Sequence, residues 1–207
     1  MSANSSQSFP QRETALRAFA TEINDADYSF KESDDDRAPS YGLLPTGQKA
    51  NRVFFAGTLT EAEDISDPED DEYWRGRIAG PTGTVRVYAG EYQPEAAAKL
   101  RSIDTPAYVT VVGKFKHYET DDGNVDVTIR PETITVVDQV TRDVWVNETA
   151  ERTLDRIDTF DEQGEDDDNH YGDMVAENYD TGLSKYREAT IRALQSLDEI
   201  DEEPDDE

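Results

Sequence analysis

The middle of the chain carries a strong helix signal, Pro94-Glu-Ala-Ala-Ala-Lys-Leu-Arg-Ser-Ile103. Proline suits the first turn of a helix, where no intrahelical partner exists for a backbone N–H, and Glu, Ala, Lys and Leu are good helix formers. Three runs of alternating apolar and polar residues precede this helix and two follow it, which is typical of strands. The runs cover residues 51–62, 73–79, 84–91, 107–119 and 124–137. The predicted order is therefore β-β-β-α-β-β.

Two turn sequences join these strands into hairpins. Asp122-Gly123 separates the fourth and fifth runs, and Pro81-Thr82-Gly83 separates the second and third. Gly, Asp and Pro are the residues that tight turns favour. Five strands with a helix between the third and fourth is the order of an OB-fold barrel. An SH3-like barrel or a split sandwich also offers five strands, but this helix is harder to place there. We predict a mainly β protein built on a five-stranded OB-fold barrel.

Helical and acidic segments flank the predicted barrel. Residues 11–23 have apolar residues at helical spacing, and the polar stretch that follows them is expected to be an extended arm. On the other side, helices are expected from about Val144 and Leu183, with an acidic linker at residues 161–168 between them. The predicted divisions are 1–50 for the N-terminal helix and arm, 51–140 for the barrel, 141–200 for the C-terminal helices and linker, and 201–207 for an acidic tail.

The charge balance is strongly acidic. Acidic residues number 48 against 20 basic ones, so the formal net charge is −28 and the isoelectric point is about 4.2. Acidic chains with few aromatic residues are usually disordered, but seven Phe, ten Tyr and two Trp are ordinary for a globular core. The carboxylates must therefore lie on the surface, where concentrated salt would screen their repulsion. We expect a folded protein adapted to a halophilic cytoplasm.

Several functional classes lack the residues they need. The chain has no cysteine, so it offers no disulfide, thiolate zinc site or cysteine nucleophile. Its two histidines, His117 and His170, are too far apart in sequence to share one face of an element. Neither a Walker loop nor a Gly-x-Gly-x-x-Gly turn is present. We predict a protein that is not an enzyme and that has no cofactor and no metal site.

No segment of the sequence indicates a membrane protein. The Ser-rich N-terminus has no apolar run of the signal-peptide type, and no window approaches the roughly 20 apolar residues that a membrane span needs. We expect a soluble cytoplasmic protein, associated with the nucleoid and without a membrane partner.

The positive functional signal is a stretch from which acids are missing. Residues 73–90 contain three arginines and no acid, although a window of this length holds about four acids on average. Side chains alternate along a strand, so one set points outward. That outward set consists of Tyr73, Arg75, Arg77, Arg86 and Tyr88. The opposite, mostly apolar set is expected to fill the barrel and consists of Trp74, Gly76, Ile78, Val85, Val87 and Ala89.

The outward set occupies the face by which OB folds hold single-stranded nucleic acid. A second acid-free run, at residues 105–118, adds Lys114, Lys116 and Tyr118 beside the loop before the fifth strand. Trp74 completes the candidate nucleic-acid-binding residues, although its strand phase favours the core. The alternative is structural: the arginines pair with neighbouring carboxylates and the tyrosines cover barrel edges.

Several separated segments resemble a known family. The first three are Asn51-Arg-Val-Phe-Phe-Ala-Gly-Thr-Leu-Thr-Glu61, Tyr73-Trp-Arg-Gly-Arg-Ile-Ala-Gly-Pro-Thr-Gly83 and Val85-Arg-Val-Tyr-Ala-Gly90. In the arm, Phe19-Ala-Thr-Glu-Ile-Asn-Asp-Ala-Asp-Tyr28 and Arg37-Ala-Pro add to the resemblance. Together they look like the replication protein A-associated proteins of haloarchaea.

This resemblance covers about residues 11–160 and implies an OB-fold protein that associates with a replication protein A subunit in DNA replication, repair or recombination. Many replication protein A chains carry a cysteine zinc finger, which this chain cannot form. The resemblance therefore implies an accessory subunit of a hetero-oligomer. It does not indicate which residues touch DNA, and those assignments rest on strand phase alone.

Partner-binding residues are expected on the last helix or on the helix that begins near Val144. The apolar stripe of the last helix includes Leu183, Tyr186, Leu194 and Leu197. Packing of that stripe against the chain's own barrel is an equally good interpretation. Three functions stay open: a single-stranded DNA-binding subunit, a protein-binding OB scaffold that does not touch DNA, and an RNA-binding OB module.

Overall fold

The computed structural model of the chain describes residues 13–35, 38–163, 170–180 and 182–198. The elements in chain order are β1 (Leu16–Arg17), α1 (Ala20–Asn24), β2 (Ser29–Lys31), β3 (Ser40–Leu43), β4 (Lys49–Ala50), β5 (Arg52–Asp64), β6 (Trp74–Gly80), β7 (Gly83–Ala89), α2 (Pro94–Ser102), β8 (Ala107–Glu119), β9 (Val125–Val136), α3 (Gln139–Gln163), α4 (His170–Asn178) and α5 (Ser184–Asp198).

Five long strands form a closed barrel. Their order is β5-β6-β7-β9-β8, and β5 pairs with β8 to close the sheet on itself. All neighbours are antiparallel except β7 and β9, which are parallel at Val87 and Ile129. The helix α2 lies in sequence between β7 and β8, the third and fourth barrel strands. This is the OB-fold topology, and the predicted fold class is confirmed.

The barrel interior is filled by alternate residues of the five strands. Because side chains on a strand alternate between its faces, every second apolar residue points inward. The side chains that are fully buried inside it include Val53, Phe55, Leu59, Ile78, Val85, Val87, Val109, Val111 and Ile129. Leu100 of α2 is also buried and packs at one end of this core.

The N-terminal segment differs from its prediction. We expected one helix over residues 11–23, but Leu16–Arg17 forms β1, which runs parallel to β5. The helix α1 covers only Ala20–Asn24. The apolar residues whose spacing suggested one helix are instead shared between β1, α1 and the short connection between these elements. Ala18 and Phe19 in that connection are both almost fully buried. The Phe19 ring meets Trp145 edge to face, with ring centroids 5.7 Å apart.

The predicted extended arm is a small antiparallel sheet. β2, β3 and β4 pair in sequence order, and Tyr41 and Leu43 on β3 are buried. The turn between β3 and β4 contains Gly47 with a φ of 88°, a conformation that glycine adopts without a steric penalty. The chain before this sheet is attached to the barrel, because the Ala26 carbonyl lies 2.8 Å from His117 Nε2 on β8.

The C-terminal helices pack against the same core. α3 begins at Gln139, earlier than the predicted start near Val144, and its Trp145 is buried. The carboxylate of Glu22 on α1 ties α3 to the N-terminal segment through a 2.8 Å ion pair with Arg156. The helix α4 was not predicted. Residues 164–168 of the expected acidic linker and the whole tail at 201–207 lie outside the described residues.

Among the described residues, no helix has the length and apolar character that crossing a membrane requires.

Candidate nucleic-acid interface

Neighbouring strands bring the predicted outward residues side by side. Arg75 on β6 is the register partner of Tyr88 on β7, and Arg77 is the partner of Arg86. Residues of the opposite phase, such as Ile78 and Val87, are fully buried, which fixes this row on the outer face. The side chains of Arg75, Arg77 and Arg86 are between 38% and 48% exposed. The outer row is therefore one continuous surface.

Three tyrosine rings meet at one end of this row. Tyr73 stacks on Tyr88 with ring centroids 5.9 Å apart and an angle of 21° between the planes. Tyr118, near the end of β8, meets Tyr88 edge to face at 6.5 Å. Tyr73 and Tyr118 are 37% and 41% exposed. We call Tyr73, Tyr88 and Tyr118 the tyrosine cluster.

Burial within the cluster changes the acidity of one phenol. Desolvation, followed by a hydrogen bond with Tyr118, raises the pKa of Tyr73 to about 12. Both causes favour the neutral phenol over the phenolate. Tyr73 therefore presents a neutral ring at physiological pH.

Each arginine of the outer row forms an ion pair with a carboxylate. Arg75 lies 2.6 Å from Glu63, and Arg86 lies 2.9 Å from Asp126. Arg77 and Glu61 are 3.5 Å apart. All three guanidinium groups therefore pair with neighbouring carboxylates, as the alternative to DNA binding predicted. Exposed pairs of this kind are weak because solvent screens them, so they orient the arginines but leave them able to exchange partners.

A groove runs along the arginine row. Its volume is about 520 Å³, and it is lined by Asn24, Arg75, Arg77, Thr84, Arg86, Asp126 and Val127. Asn24 enters from α1 and donates a 3.0 Å hydrogen bond to the carbonyl of Thr84. The N-terminal segment thus supplies one wall of the groove, which strand phase alone did not predict.

The remaining candidate residues divide between this face and other surroundings. Lys116 belongs to the face, because its Nζ lies 5.5 Å from the centroid of the Tyr118 ring. Lys114 lines a different groove, together with Tyr92 and Arg130. Trp74 is partly buried against the core, and its indole N–H donates a 3.3 Å hydrogen bond to Glu72. The core interpretation of Trp74 is therefore the better one.

The sequence did not identify which three carboxylates pair with the arginines. Glu61 and Glu63 are the register partners of Arg77 and Arg75 across β5 and β6. Their spacing of two residues matches that of the two arginines and was the signal that could have revealed the pairing. The sequence gives no comparable signal for Asp126, because its contact with Arg86 depends on the pairing of β9 with β7.

The apolar stripe of α5 is covered by the chain itself. Tyr186 is almost fully buried, and Leu194 and Leu197 pack against the barrel core. Leu183 is partly buried at the start of α5. The packing of Tyr186, Leu194 and Leu197 agrees with the alternative interpretation of this stripe, in which it covers the chain's own core.

Among residues 13–35, 38–163, 170–180 and 182–198, no group of three or more His, Asp or Glu side chains is arranged to hold a metal ion. The His117 side chain forms a hydrogen bond with the backbone carbonyl of Ala26.

Comparison with known proteins identifies solved structures of similar fold. No protein-family model and no curated protein matches the chain. The second single-stranded DNA-binding protein of Mycobacterium smegmatis is 18% identical, with a TM-score of 0.36 over 42% of this chain and 86% of that one. The asparaginyl-tRNA synthetase of Pyrococcus horikoshii is also 18% identical, with a TM-score of 0.33 over 42% of this chain and 20% of that one. An OBody bound to hen egg-white lysozyme is 16% identical, with a TM-score of 0.35 over 46% of this chain and 87% of that one.

At these identities and TM-scores the likeness adds nothing about function. The barrel closure and the position of α2 assign the OB fold.

Proposed function

We propose that this chain binds single-stranded DNA through the tyrosine cluster and the arginine row, as an accessory subunit of a replication protein A type complex. The observation that carries the proposal is the contact between the three tyrosine rings, which extend the arginine row on the outer face of β6, β7 and the end of β8. Bases of a single strand stack on such rings, while guanidinium groups beside them reach the phosphates.

The tyrosine cluster is the main source of affinity in this proposal. Stacking of a base on an aromatic ring contributes about 1–3 kcal/mol, and it survives salt concentrations that weaken phosphate contacts. The cluster has two rings that are more than a third exposed, Tyr73 and Tyr118. The acidic composition indicates a high-salt cytoplasm. There, stacking on these rings contributes more to the binding affinity than the charge of the arginines does.

The arginines orient the DNA backbone more than they attract it. Each is already paired with a carboxylate at the surface, and an exposed pair is weak enough to be exchanged for a phosphate oxygen. Such an exchange replaces one counterion by another, so its net contribution is small. The arginines thus align the backbone while the tyrosines hold the bases.

The accessory role rests on the resemblance to replication protein A-associated proteins and on an exposed apolar surface. Val140 and Val144 lie one helical turn apart on α3 and are 69% and 52% exposed. We assign this pair of valines, rather than the α5 stripe, to the replication protein A subunit. Co-purification from a high-salt lysate tests it: Val140→Asp with Val144→Asp should abolish capture of that subunit, and Ile191→Asp on α5, also exposed, should not.

Fluorescence anisotropy with a labelled oligonucleotide in molar KCl tests the DNA-binding part. Tyr118→Leu removes an aromatic ring that is 41% exposed but keeps apolar bulk, so the dissociation constant should rise by about 5- to 150-fold, the equivalent of about 1–3 kcal/mol. Tyr118→Phe keeps the ring and should bind like the native chain. Equal binding by all three proteins would reject the proposal.

Two other functions predict different outcomes. A protein-binding OB scaffold would capture the same partner but would bind no oligonucleotide by itself, and in the complex DNA would crosslink to the partner and not to this chain. An RNA-binding module would prefer single-stranded RNA when RNA and DNA of one sequence compete for the native chain. The tyrosine cluster fits either nucleic acid, and the competition decides between them.

A further inference from the structure

The carboxylates on the arginine row have a regular placement. Glu61 and Glu63 stand directly opposite Arg77 and Arg75 on the neighbouring strand, at the same two-residue spacing. On the other side of the row, Asp126 of β9 forms an ion pair with Arg86. The row of guanidinium groups is therefore bordered on both sides by carboxylates within ion-pair distance.

This placement cancels the charge of the arginine row. Three guanidinium groups and three carboxylates sum to zero, so the row offers a phosphate backbone no net attraction. The two pairs with the shortest separations, Arg75–Glu63 and Arg86–Asp126, leave all four side chains at least 38% exposed. The charges are therefore balanced at the surface, where an approaching strand would meet them, and not in the interior.

We infer that Glu61, Glu63 and Asp126 are specificity-determining residues, which make the face select unstacked bases and reject duplex DNA. This inference rests on the proposed function of the same face. Duplex DNA presents phosphates on its outside and keeps its bases stacked inside, so a neutral row gives it little to bind. A single strand can place bases on the tyrosine cluster, which a neutral row does not prevent.

A neutral row also weakens the salt dependence of binding. Affinity falls with salt in proportion to the number of phosphates that a protein neutralises, with a slope of about −0.7 per phosphate for single strands in a plot of log K against log salt. Arginines that are already neutralised release few additional counterions. The native face should therefore bind single strands with a shallow slope, which keeps its affinity in concentrated salt.

The test replaces all three carboxylates by neutral isosteres, Glu61→Gln, Glu63→Gln and Asp126→Asn. The amide oxygens still accept hydrogen bonds from the guanidinium groups, so the arginines stay in place while their charge is released. Anisotropy is measured with single-stranded and duplex oligonucleotides over a series of KCl concentrations in which the far-UV circular dichroism is constant. The single-strand slope should steepen by up to about 2, and the preference for single strands over duplex should shrink.

A matched control lies on the helical side of the molecule. Arg187 and Asp158 form a pair at 2.6 Å with side chains 38% and 59% exposed, close to the values of the Arg75–Glu63 pair. Asp158→Asn should change neither the slope nor the preference. If the triple variant keeps both native values while the native chain binds single strands, the inference is overturned and the proposed function stands.

Failure of the proposed function gives a different pattern. A native chain that binds no single strand at all refutes the function. In that case the inference is overturned with it, because a face that binds no single strand cannot select single strands over duplex. The pattern differs from that of the preceding outcome, in which the native chain binds and the function stands.

Discussion

Tyr73 and Tyr88 stack on one another at the edge of β6 and β7, with their ring planes inclined by only 21°. Tyr118 on β8 meets the Tyr88 ring on β7, so the two strands and the residue just before β6 hold the three rings together. Rings that are already ordered lose little side-chain freedom when a ligand arrives, which removes part of the entropic cost of binding. The tyrosine cluster is thus a preformed platform.

The buried carboxylate of Glu22 should be essential for stability. It accepts hydrogen bonds from Thr46, Thr153 and the backbone of Phe19, and it pairs with Arg156, whose side chain is 10% exposed. Glu22→Ala leaves that guanidinium buried without its partner, so the free energy of unfolding should fall by about 3–5 kcal/mol in urea denaturation. Glu148→Ala removes the more exposed pair with Arg17 and should cost no more than about 1 kcal/mol. Similar losses in both variants would contradict this account.

Stability should fall in mild acid through His117. Burial lowers the pKa of His117 below its ordinary value of 6.5, against the opposing effects of the Ala26 carbonyl and Asp27. The unfolded chain therefore binds a proton at a higher pH than the folded chain, and stability that is present above about pH 6.5 is lost as the pH falls towards the folded pKa. His117→Gln should flatten this part of the pH profile of unfolding. An unchanged profile would show that His117 does not titrate differently on folding.

The folded state should depend on salt. A formal charge of −28 repels itself in dilute buffer, and a salt concentration near 1 M shortens the Debye length to about 3 Å. Salt also weakens the surface ion pairs, but each of these contributes at most about 1 kcal/mol, so the relief of repulsion dominates. The thermal midpoint should rise continuously as KCl is added. A midpoint that is constant or falls with KCl would contradict the halophilic interpretation.

The barrel was predictable because its signals are local. The β8 bounds, Ala107–Glu119, agree with the alternation of the sequence, and α2 begins at the proline that marked it. The N-terminal segment was not predictable in the same way. Leu16 and Phe19 are apolar at a helical spacing, yet a parallel pairing of Leu16 with Val53 on β5 determines the backbone there.

The candidate site was predictable from strand phase, but its charge balance was not. The alternation at residues 73–88 placed the tyrosines and arginines correctly on the outer face. Glu61 and Asp126 lie on other strands, and only the register of β5 against β6 and the return of β9 bring them to the arginines. Similarly, the stripe that includes Tyr186 has the pattern of an interface, and periodicity cannot tell whether its partner is another chain or this one.

Ultraviolet crosslinking of single-stranded DNA to the chain, followed by mass spectrometry of the crosslinked peptides, tests most directly whether this chain touches DNA through the tyrosine cluster. The experiment is performed in molar KCl, with and without the captured partner. Crosslinks should map to the peptides that contain Tyr73, Tyr88 and Tyr118. Crosslinks confined to the partner, or to peptides of this chain outside the cluster, would contradict the account.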